Sequence, residues 1–339
     1  MRVTLRSVAS LANVHYSTVS HVLNGAHTNT RVSEETRERI INAANTLGYQ
    51  VNRVAQQLKT NRSYCVGVLC GDLENAFFAR FVTLCARALE TKGYEMILST
   101  RNEERDEDLH LLNTLASRQP DGLIIWGEIS LEVRSRLTSS DLTKSVVVGY
   151  YHPGIDSIAV DLGSGFRIAL DHLYAQGITD IGYIAPASLP YLTGDNRLKE
   201  YNMWMKEHSL NPKVFTFGRI SHEGSSVRGL TQKLIKSGTI PRALICFNDM
   251  VALGVLSGLG RSGLKVPEDV LVIGCDDLPI MSELTVPVTS IHYPLEEVAQ
   301  IAVELLMDRI TFAGETLIEP RCKSVEAVLK IRESSIVPS

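Results

Sequence analysis

Residues 14–24 read VHYSTVSHVLN, and the rest of the chain is organised around this stretch. A helix drawn through it has one apolar face, and its other face carries short side chains that donate and accept hydrogen bonds. A second apolar stripe of helical period spans residues 5–12, and Asn13 between the stripes is a turn residue. Two short helices joined by a tight turn, the second with an uncharged polar outer face, predict a helix-turn-helix. The apolar positions of the second helix are Val14, Val19, Val22 and Leu23.

The N-terminal segment is basic although the whole chain is acidic. Residues 1–62 contain eight Lys or Arg and three Asp or Glu residues, a local net charge of +5, so the remaining chain carries −9 and the total is −4. Two short amphipathic helices alone more often indicate ordinary packing. Because DNA phosphates attract cations, a basic head on an acidic body favours nucleic-acid binding instead.

The sequence resembles the lactose/galactose repressor (LacI/GalR) family of bacterial transcriptional regulators. The resemblance continues to about residue 332 and is carried by TLRSVASLANVHYSTVSHVLNG at 4–25, VSEETRERIINAANTLGY at 32–49 and NRVAQQL at 52–58. It implies a small all-α head, a hinge that becomes helical when paired on DNA, and a large effector-binding and dimerisation domain. The boundaries that we predict are 1–49 for the helix-turn-helix domain, 50–61 for the hinge helix and 62–339 for the third domain.

From Ser63 onward, apolar runs of strand length alternate with amphipathic helical segments. This alternation predicts parallel sheets covered by helices on both faces, in about two repeats split near Asp161. We predict strands at Cys65–Cys70, Met96–Ser99, Gly122–Trp126, Val146–Tyr150, Ile181–Ala185, Val214–Phe217, Ala243–Phe247 and Leu271–Cys275. The resemblance implies an α/β periplasmic-binding-protein-like body of two doubly wound parallel-sheet lobes. It places the first lobe at about 62–160 and 292–320 and the second at about 161–291 and 321–339.

Length and composition are those of a globular protein with more than one core. The 339 residues are 44% hydrophobic and 21% charged, and no apolar run reaches the roughly 18–20 residues of a membrane-spanning helix. The opening MRVTLRSVAS lacks the apolar centre of a signal peptide, so we expect a cytoplasmic protein that associates with the nucleoid when bound to DNA. The six cysteines show no C-x-x-C spacing, and we expect them to be reduced and mostly buried.

Motifs of enzyme chemistry are absent from the sequence. It contains no G-x-x-x-x-G-K-[ST] phosphate loop and no G-x-S-x-G nucleophile elbow, and its histidines and cysteines do not have metal-ligand spacing. We therefore expect no catalytic activity, no cofactor and no metal.

Polar and aromatic residues follow four predicted strands of the body, at the carboxyl ends where such folds bind ligands. Taken singly, each group has an ordinary explanation as core, surface charge or helix cap. Together they predict a cleft for a polyhydroxylated ligand such as a sugar, because Arg donates in a fixed fork and Asp and Asn pair with hydroxyl groups. The four groups are Asn75-Ala76-Phe77-Phe78, Thr193 to Arg197, Asn248-Asp249 and Asp276-Asp277.

The resemblance assigns roles to seven of these or neighbouring residues. Arg197, Asn248 and Asp276 match the family's effector contacts, and the positions that line the pocket are Phe77, Phe78, Tyr150 and Thr193. The chain departs from the family at two places near them. Gly149 stands where some sugar-binding members have an aspartate, and Glu200 replaces a glycine that usually follows the arginine. The identity of the ligand is therefore open.

The resemblance also assigns the contacts with DNA. Direct readout in the major groove falls to His15, Tyr16, Ser17 and His21. Ser20, Asn24 and Gln56 match phosphate contacts. The remaining hinge contacts are Asn52, Ala55 and Leu58, of which Leu58 is the wedge that enters the minor groove. His15 stands where a Ser or Thr often caps the recognition helix and His21 replaces a common Arg, so we expect an unusual operator.

The sequence thus predicts a transcriptional repressor whose binding to a palindromic operator is controlled by a small polar ligand, a sugar or a sugar derivative. An activator with the same parts remains open, as does a sugar-binding protein without DNA function. A palindromic site needs two heads, so we expect a homodimer. The terminal KIRESSIVPS lacks the apolar heptads of tetrameric family members.

Overall fold

The chain divides into two compact units, Met1–Tyr64 and Cys65–Ser339, in a computed structural model. We refer to these units as the head and the body. The structure describes residues 3–24, 32–49, 60, 62–101, 108–127, 144–188, 195–218, 223–312 and 319–338.

The described part of the head consists of the helices α1 Leu5–Ala12, α2 Tyr16–Asn24 and α3 Glu34–Leu47. The side chains of Thr4 and Ser33 accept backbone N–H groups in the first turns of α1 and α3. Asn13 (φ 49°) and Gly48 (φ 64°) end the same two helices in the left-handed conformation. The apolar faces of all three helices meet, which confirms the predicted stripes. The buried core residues are Val8, Ala9, Ala12, Val19, Ile40, Ala43 and Ala44.

The body alternates strands and helices over most of its length. Its described strands are β1 Cys65–Cys70, β2 Glu95–Thr100, β3 Gly122–Trp126, β4 Ser145–Val148, β5 Asp156–Asp161, β6 Ile181–Pro186, β7 Lys213–Phe217, β8 Ala243–Cys246, β9 Leu271–Asp276, β10 Thr289–His292, β11 Cys322–Glu326 and β12 Val328–Lys330. Its described helices are α4 Ala76–Thr91, α5 Asp108–Ser117, α6 Leu162–Tyr174, α7 Arg197–Glu207, α8 Glu223–Lys236, α9 Asp249–Arg261, α10 Ile280–Glu283 and α11 Leu295–Thr311, followed by a 3-10 turn at Glu333–Ser335.

Two six-stranded sheets form the two lobes. The first has the strand order β11-β5-β4-β3-β1-β2, and the second has the order β12-β10-β9-β8-β6-β7. In the first sheet, Val68 of β1 lies between Leu98 of β2 and Ile124 of β3. Every pairing is parallel except that of β10 with β12 at one edge. The predicted doubly wound parallel lobes are confirmed.

The chain passes between the lobes three times, and one predicted crossing is misplaced. The first crossing follows Asp161, as predicted, because β5 ends there and α6 packs on the second lobe. The return follows β10, close to the predicted point. We predicted the third crossing near Pro320, but β11 still pairs with β5 of the first sheet, from Cys322 opposite Ser157 onward. The chain therefore crosses at Ala327, between β11 and β12.

Some local predictions also need correction. The strand predicted to end at Tyr150 ends at Val148, because Gly149 adopts a positive φ of 94° that extended backbone excludes. The sequence pattern did not reveal β5 or α11, which packs on α4 and on β3, β4 and β5. The six cysteines are free thiols. Four are buried, but Cys65 is half-buried and Cys322 is exposed.

Candidate functional site

The N-terminus of α2 is capped by the side chain of His15. Its Nδ1 atom accepts the backbone N–H of Ser17 at 3.4 Å and lies 2.7 Å from the Ser17 hydroxyl. The His15 carbonyl accepts the backbone N–H of Thr18 at 3.0 Å. His15 thus performs the capping role that Ser or Thr usually fills at such a position, and its Nε2 atom is left on the far side of the ring.

The exposed start of α2 presents several predicted DNA contacts together. His15, Tyr16 and Ser17 are exposed, Tyr16 to 51%, and the rings of His15 and Tyr16 lie 4.8 Å apart between centroids. Ser20 and His21, one turn further on, are half-buried, and each has an interaction partner. Asn24 is the last residue of α2. The other predicted DNA contacts, Asn52, Ala55, Gln56 and Leu58, lie outside the described residues.

In the body, the two predicted phenylalanines belong to a larger aromatic cluster. Asn75 caps α4 by accepting the backbone N–H of Phe77 at 3.0 Å, which sets both rings at the carboxyl end of β1. Phe77 is buried and meets Trp126 and Tyr293 edge-on at 5.1 Å each, and Phe78 is half-buried and meets Trp126 at 5.6 Å. Phe77 is therefore mainly a core residue, whereas Phe78 lies at the border of the cluster.

Arg197 is buried and already well bound by the protein. Its Nε atom donates to both carboxylate oxygens of Asp195, at 3.0 and 2.9 Å, and its second terminal nitrogen also donates to Asp195. The remaining terminal nitrogen donates to the Phe247 carbonyl oxygen at 2.6 Å, and the guanidinium carbon lies 3.7 Å from the centre of the Phe247 ring. Burial raises the pKa of Asp195, but the charge of Arg197 outweighs this effect and the net pKa is lowered. Arg197, predicted to contact the effector, is thus part of a buried ion pair with Asp195 and not a solvated surface charge.

Asn248 begins α9 at the carboxyl end of β8. Its side-chain oxygen accepts the backbone N–H of Val251 at 2.8 Å, so it is a helix cap as well as a predicted contact. The next residue, Asp249, is fully buried, and its carboxylate accepts the Ser290 hydroxyl at 2.7 Å and the Leu278 N–H at 2.6 Å. Burial raises the pKa of Asp249 to about 7.

Two adjacent acids, Asp276 and Asp277, lie at the end of β9. The Asp277 carboxylate accepts a hydrogen bond from Arg332 at 2.6 Å and lies 2.9 Å from His292 Nδ1. Asp276 has a φ of 112°, and Asp277 has a φ of 55°. Positive φ values are rare outside glycine and cluster at ligand-binding sites, so this turn holds Asp276 in a strained conformation.

Tyr293, which sequence analysis missed, lies among the predicted effector contacts. Burial raises the pKa of its hydroxyl well above the ordinary value, the charges of Asp276 and Tyr150 raise it further, and the charge of Arg197 lowers it. Tyr293 follows β10, where the chain returns to the first lobe, and its backbone N–H donates to the Asp276 carbonyl oxygen at 3.4 Å. Thr193 lies outside the described residues. The sequence feature that could have identified Tyr293 is its position directly after a strand, the same feature that identified the other site residues.

The two departures from the family pattern have local explanations. Glu200 forms a salt bridge with Arg167 of α6, so its side chain faces the neighbouring helix. Gly149 has a φ of 94°, a conformation that an aspartate adopts only with strain.

In the described part of the chain, no helix is both long and apolar enough to cross a bilayer. Nor do three or more His, Cys, Asp or Glu side chains come together there in a way that could hold a metal ion.

Comparisons with known proteins agree with the architecture. Residues 4–52 match the family of bacterial regulatory proteins, lacI family, and residues 170–335 match the periplasmic binding protein-like domain. The chain is 31% identical to the HTH-type transcriptional repressor PurR of Aliivibrio salmonicida, over 91% of this chain and 92% of that protein. Among solved structures, a complex of the transcriptional regulator CelR with cellobiose has 28% identity and a TM-score of 0.66, covering 98% of this chain and 100% of that one. The Lac repressor dimer bound to operator and the anti-inducer ONPF shares the fold with a TM-score of 0.80 at 24% identity, covering 99% and 100%.

Proposed function

Since the chain belongs to the lacI family of bacterial regulatory proteins, we propose that it is a sequence-specific transcriptional repressor controlled by a sugar or sugar derivative. The effector binds in the body, at the carboxyl ends of the strands of both lobes. The observation that supports this effector site is the position of Tyr293, whose backbone N–H donates to the Asp276 carbonyl oxygen at 3.4 Å, whose ring packs on Phe77, and whose hydroxyl is acted on by the charge of Arg197. The relative bound to cellobiose supports a sugar as the ligand class.

The head binds operator DNA through the exposed start of α2. His15, Tyr16 and Ser17 reach base edges in the major groove together with His21, while Ser20 and Asn24 position the head on phosphates. Because the His15 Nδ1 atom is used within the helix cap, its Nε2 atom is the one that faces DNA. Arg can bind a guanine with two hydrogen bonds and His cannot, so we expect the operator to differ from sites read by an Arg at position 21.

The hinge residues complete the proposed DNA contacts. Asn52, Ala55 and Gln56 contact the operator beside the head, and Leu58 enters the minor groove at its centre. In the body, Phe77, Phe78, Tyr150, Thr193, Arg197, Asn248 and Asp276 contact the effector. We propose that the protein works in the cytoplasm as a homodimer on palindromic DNA and carries out no catalysis.

The test is selection of DNA from a random-sequence pool with the full-length protein, followed by effector screening on the selected site. We expect a palindrome to be enriched, and a sugar that stabilises the protein thermally to weaken operator binding about tenfold or more. Asp276→Ala should bind the operator nearly as tightly as the parent and lose the response to that sugar. If no palindrome is enriched, the proposed function is wrong. If Asp276→Ala stays folded but loses operator binding, Asp276 has a structural role instead.

A further inference from the structure

We propose that the effector is an uncharged, hydroxyl-bearing molecule, and that the cleft rejects a phosphorylated or carboxylated form of the same molecule. This inference rests on the proposed function, because it concerns the charge of the ligand at that effector site. It also assigns to Tyr293 a hydrogen bond with the ligand.

The first reason is that the buried cation of the cleft is already neutralised. A guanidinium has five N–H donors and is the usual protein partner of carboxylate and phosphate groups. In Arg197, the Nε atom and one terminal nitrogen donate to Asp195, and the other terminal nitrogen donates to the Phe247 carbonyl oxygen. The aromatic ring of Phe247 also covers one face of the guanidinium. Arg197 therefore retains individual N–H donors for a hydroxyl or carbonyl oxygen, but its charge is balanced by Asp195.

The second reason is that helix N-termini at this end of the sheets are internally capped. Such N-termini bind phosphates through free N–H groups and the positive end of the helix dipole. Here Asn75 accepts from the first turn of α4, and Asn248 accepts from the first turn of α9. Asp195 accepts the backbone N–H of Arg197 at 2.9 Å at the start of α7. Capping side chains thus occupy the positions that an anionic ligand would need.

The third reason is the carboxylate of Asp276. The backbone N–H of Tyr293 donates to the Asp276 carbonyl oxygen at 3.4 Å, and the charge of Asp276 acts on the Tyr293 hydroxyl. A second anion placed beside Asp276 is repelled, whereas hydroxyl groups donate to it.

The Tyr293 hydroxyl supplies a polar group that needs a partner. Tyr293 is 5% exposed, and no donor or acceptor of the described residues lies within hydrogen-bond distance of its hydroxyl oxygen. A buried hydroxyl without a partner is costly, and that cost disappears when a ligand supplies the missing hydrogen bond. Since the pKa of Tyr293 is raised well above its ordinary value, the group remains a neutral donor and acceptor. A hydroxyl or carbonyl oxygen of the ligand fits it.

The first experiment compares matched pairs of ligands on the full-length protein by thermal shift and titration calorimetry. The uncharged members are ribose, glucose, galactose and cellobiose, and the anionic members are ribose phosphate, glucose phosphate and galacturonate. We expect at least one uncharged member to bind, and its anionic counterpart to bind about 30-fold more weakly or not at all, a difference of about 2 kcal/mol. An anionic member that binds as tightly as its uncharged counterpart overturns the proposal, and so does a panel in which no uncharged member binds.

The second experiment tests Tyr293 with a matched control. Tyr293→Phe should weaken binding of the uncharged sugar about tenfold and leave the thermal midpoint of the free protein unchanged or raised, because it removes an unpartnered buried hydroxyl. Tyr201→Phe removes a buried hydroxyl that donates to the Ile181 carbonyl oxygen at 3.0 Å and accepts the Lys213 backbone N–H at 2.9 Å, within the second lobe. It should lower stability and leave sugar affinity unchanged. Equal effects of the two variants on affinity would refute the role of Tyr293.

A third variant probes the charge argument directly. Asp195→Asn frees the charge of Arg197, so it should narrow the preference for the uncharged over the phosphorylated sugar by about threefold or more. The outcomes distinguish a failure of this inference from a failure of the proposed function. A protein that selects a palindromic operator but binds only anionic sugars refutes the inference alone, whereas a protein that selects no DNA refutes the proposed function.

Discussion

Asp156 holds three segments of the first lobe together, and its removal should be costly. Asp156 is the first residue of β5, and its side chain is fully buried. It accepts hydrogen bonds from Arg309 of α11 at 2.9 and 2.5 Å, and from the backbone and side chain of Arg321, just before β11, at 2.8 to 3.2 Å. Breaking a buried ion pair by removing one partner costs about 3–5 kcal/mol. We expect Asp156→Asn, which keeps the shape but offers one acceptor oxygen, to lower the free energy of unfolding by about 3 kcal/mol or more.

The pH dependence of this loss follows from the pKa of Asp156. Burial raises the pKa, but hydrogen bonds from Arg309 and Arg321 outweigh burial, so the net pKa lies below its ordinary value. A carboxylate whose pKa is lowered on folding adds stability above its unfolded pKa of about 3.9 and loses it as the pH falls through the folded pKa. The difference in stability between the parent and Asp156→Asn should therefore be largest near neutral pH and shrink in acid.

Urea unfolding followed by tryptophan fluorescence measures the effect. The chain has two tryptophans, so a Trp204→Phe background leaves Trp126 at the end of β3 as the reporter of the first lobe. Asp308→Asn is the matched control, because Asp308 pairs with the same Arg321 but is 61% exposed. An exposed pair contributes only about 0–1 kcal/mol. If Asp156→Asn cost no more than Asp308→Asn, or if its cost were independent of pH, the network would not stabilise the lobe as argued.

Two further predictions concern the operator-bound assembly. Leu58→Ala should weaken binding to the selected operator at physiological salt and spare the weak, phosphate-driven binding at low salt. It should leave the effector affinity of the free protein unchanged. A gel shift at two salt concentrations measures operator binding, and undiminished binding would contradict the role of Leu58. Light scattering of the full-length protein at micromolar concentration should show a dimer, because one palindromic operator takes two heads. A stable tetramer would contradict this prediction.

The parts of the fold that sequence analysis predicted correctly are those with uninterrupted local patterns. β1, β3 and β9 are continuous apolar runs, so the pattern alone indicates buried parallel strands. β5 was missed because it begins with two buried polar residues, Asp156 and Ser157. The cationic partners that stabilise the buried carboxylate, Arg309 and Arg321, follow 153 and 165 residues after Asp156. No local sequence pattern therefore predicts them.

The candidate site shows the same limit. The resemblance and their positions after predicted strands identify Arg197 and Asp276, and the charges of both act on the Tyr293 hydroxyl. Asp195 lies in the predicted site segment Thr193 to Arg197, yet its pairing with Arg197 could not be predicted, because an arginine at a helix start is ordinarily exposed. Trp126 ends β3 of the first lobe, whereas Tyr293 follows β10 of the second lobe. Their ring centroids lie 5.6 Å apart because the chain returns to the first lobe directly after β10.

That crossing explains how a ligand in the body can act on both lobes. The backbone N–H of Tyr293 donates to the Asp276 carbonyl oxygen at 3.4 Å, and the Tyr293 carbonyl accepts from Leu295 at the start of α11 at 2.7 Å. Its ring packs against Phe77 and Trp126 of the first lobe. A ligand that bonds both Asp276 and the Tyr293 hydroxyl therefore contacts the second lobe and the segment that joins the lobes. It shifts their relative arrangement only if it binds one arrangement better, and a tenfold preference supplies about 1.4 kcal/mol per site. In a dimer, two such sites supply about twice that amount, which is in the range of measured allosteric couplings.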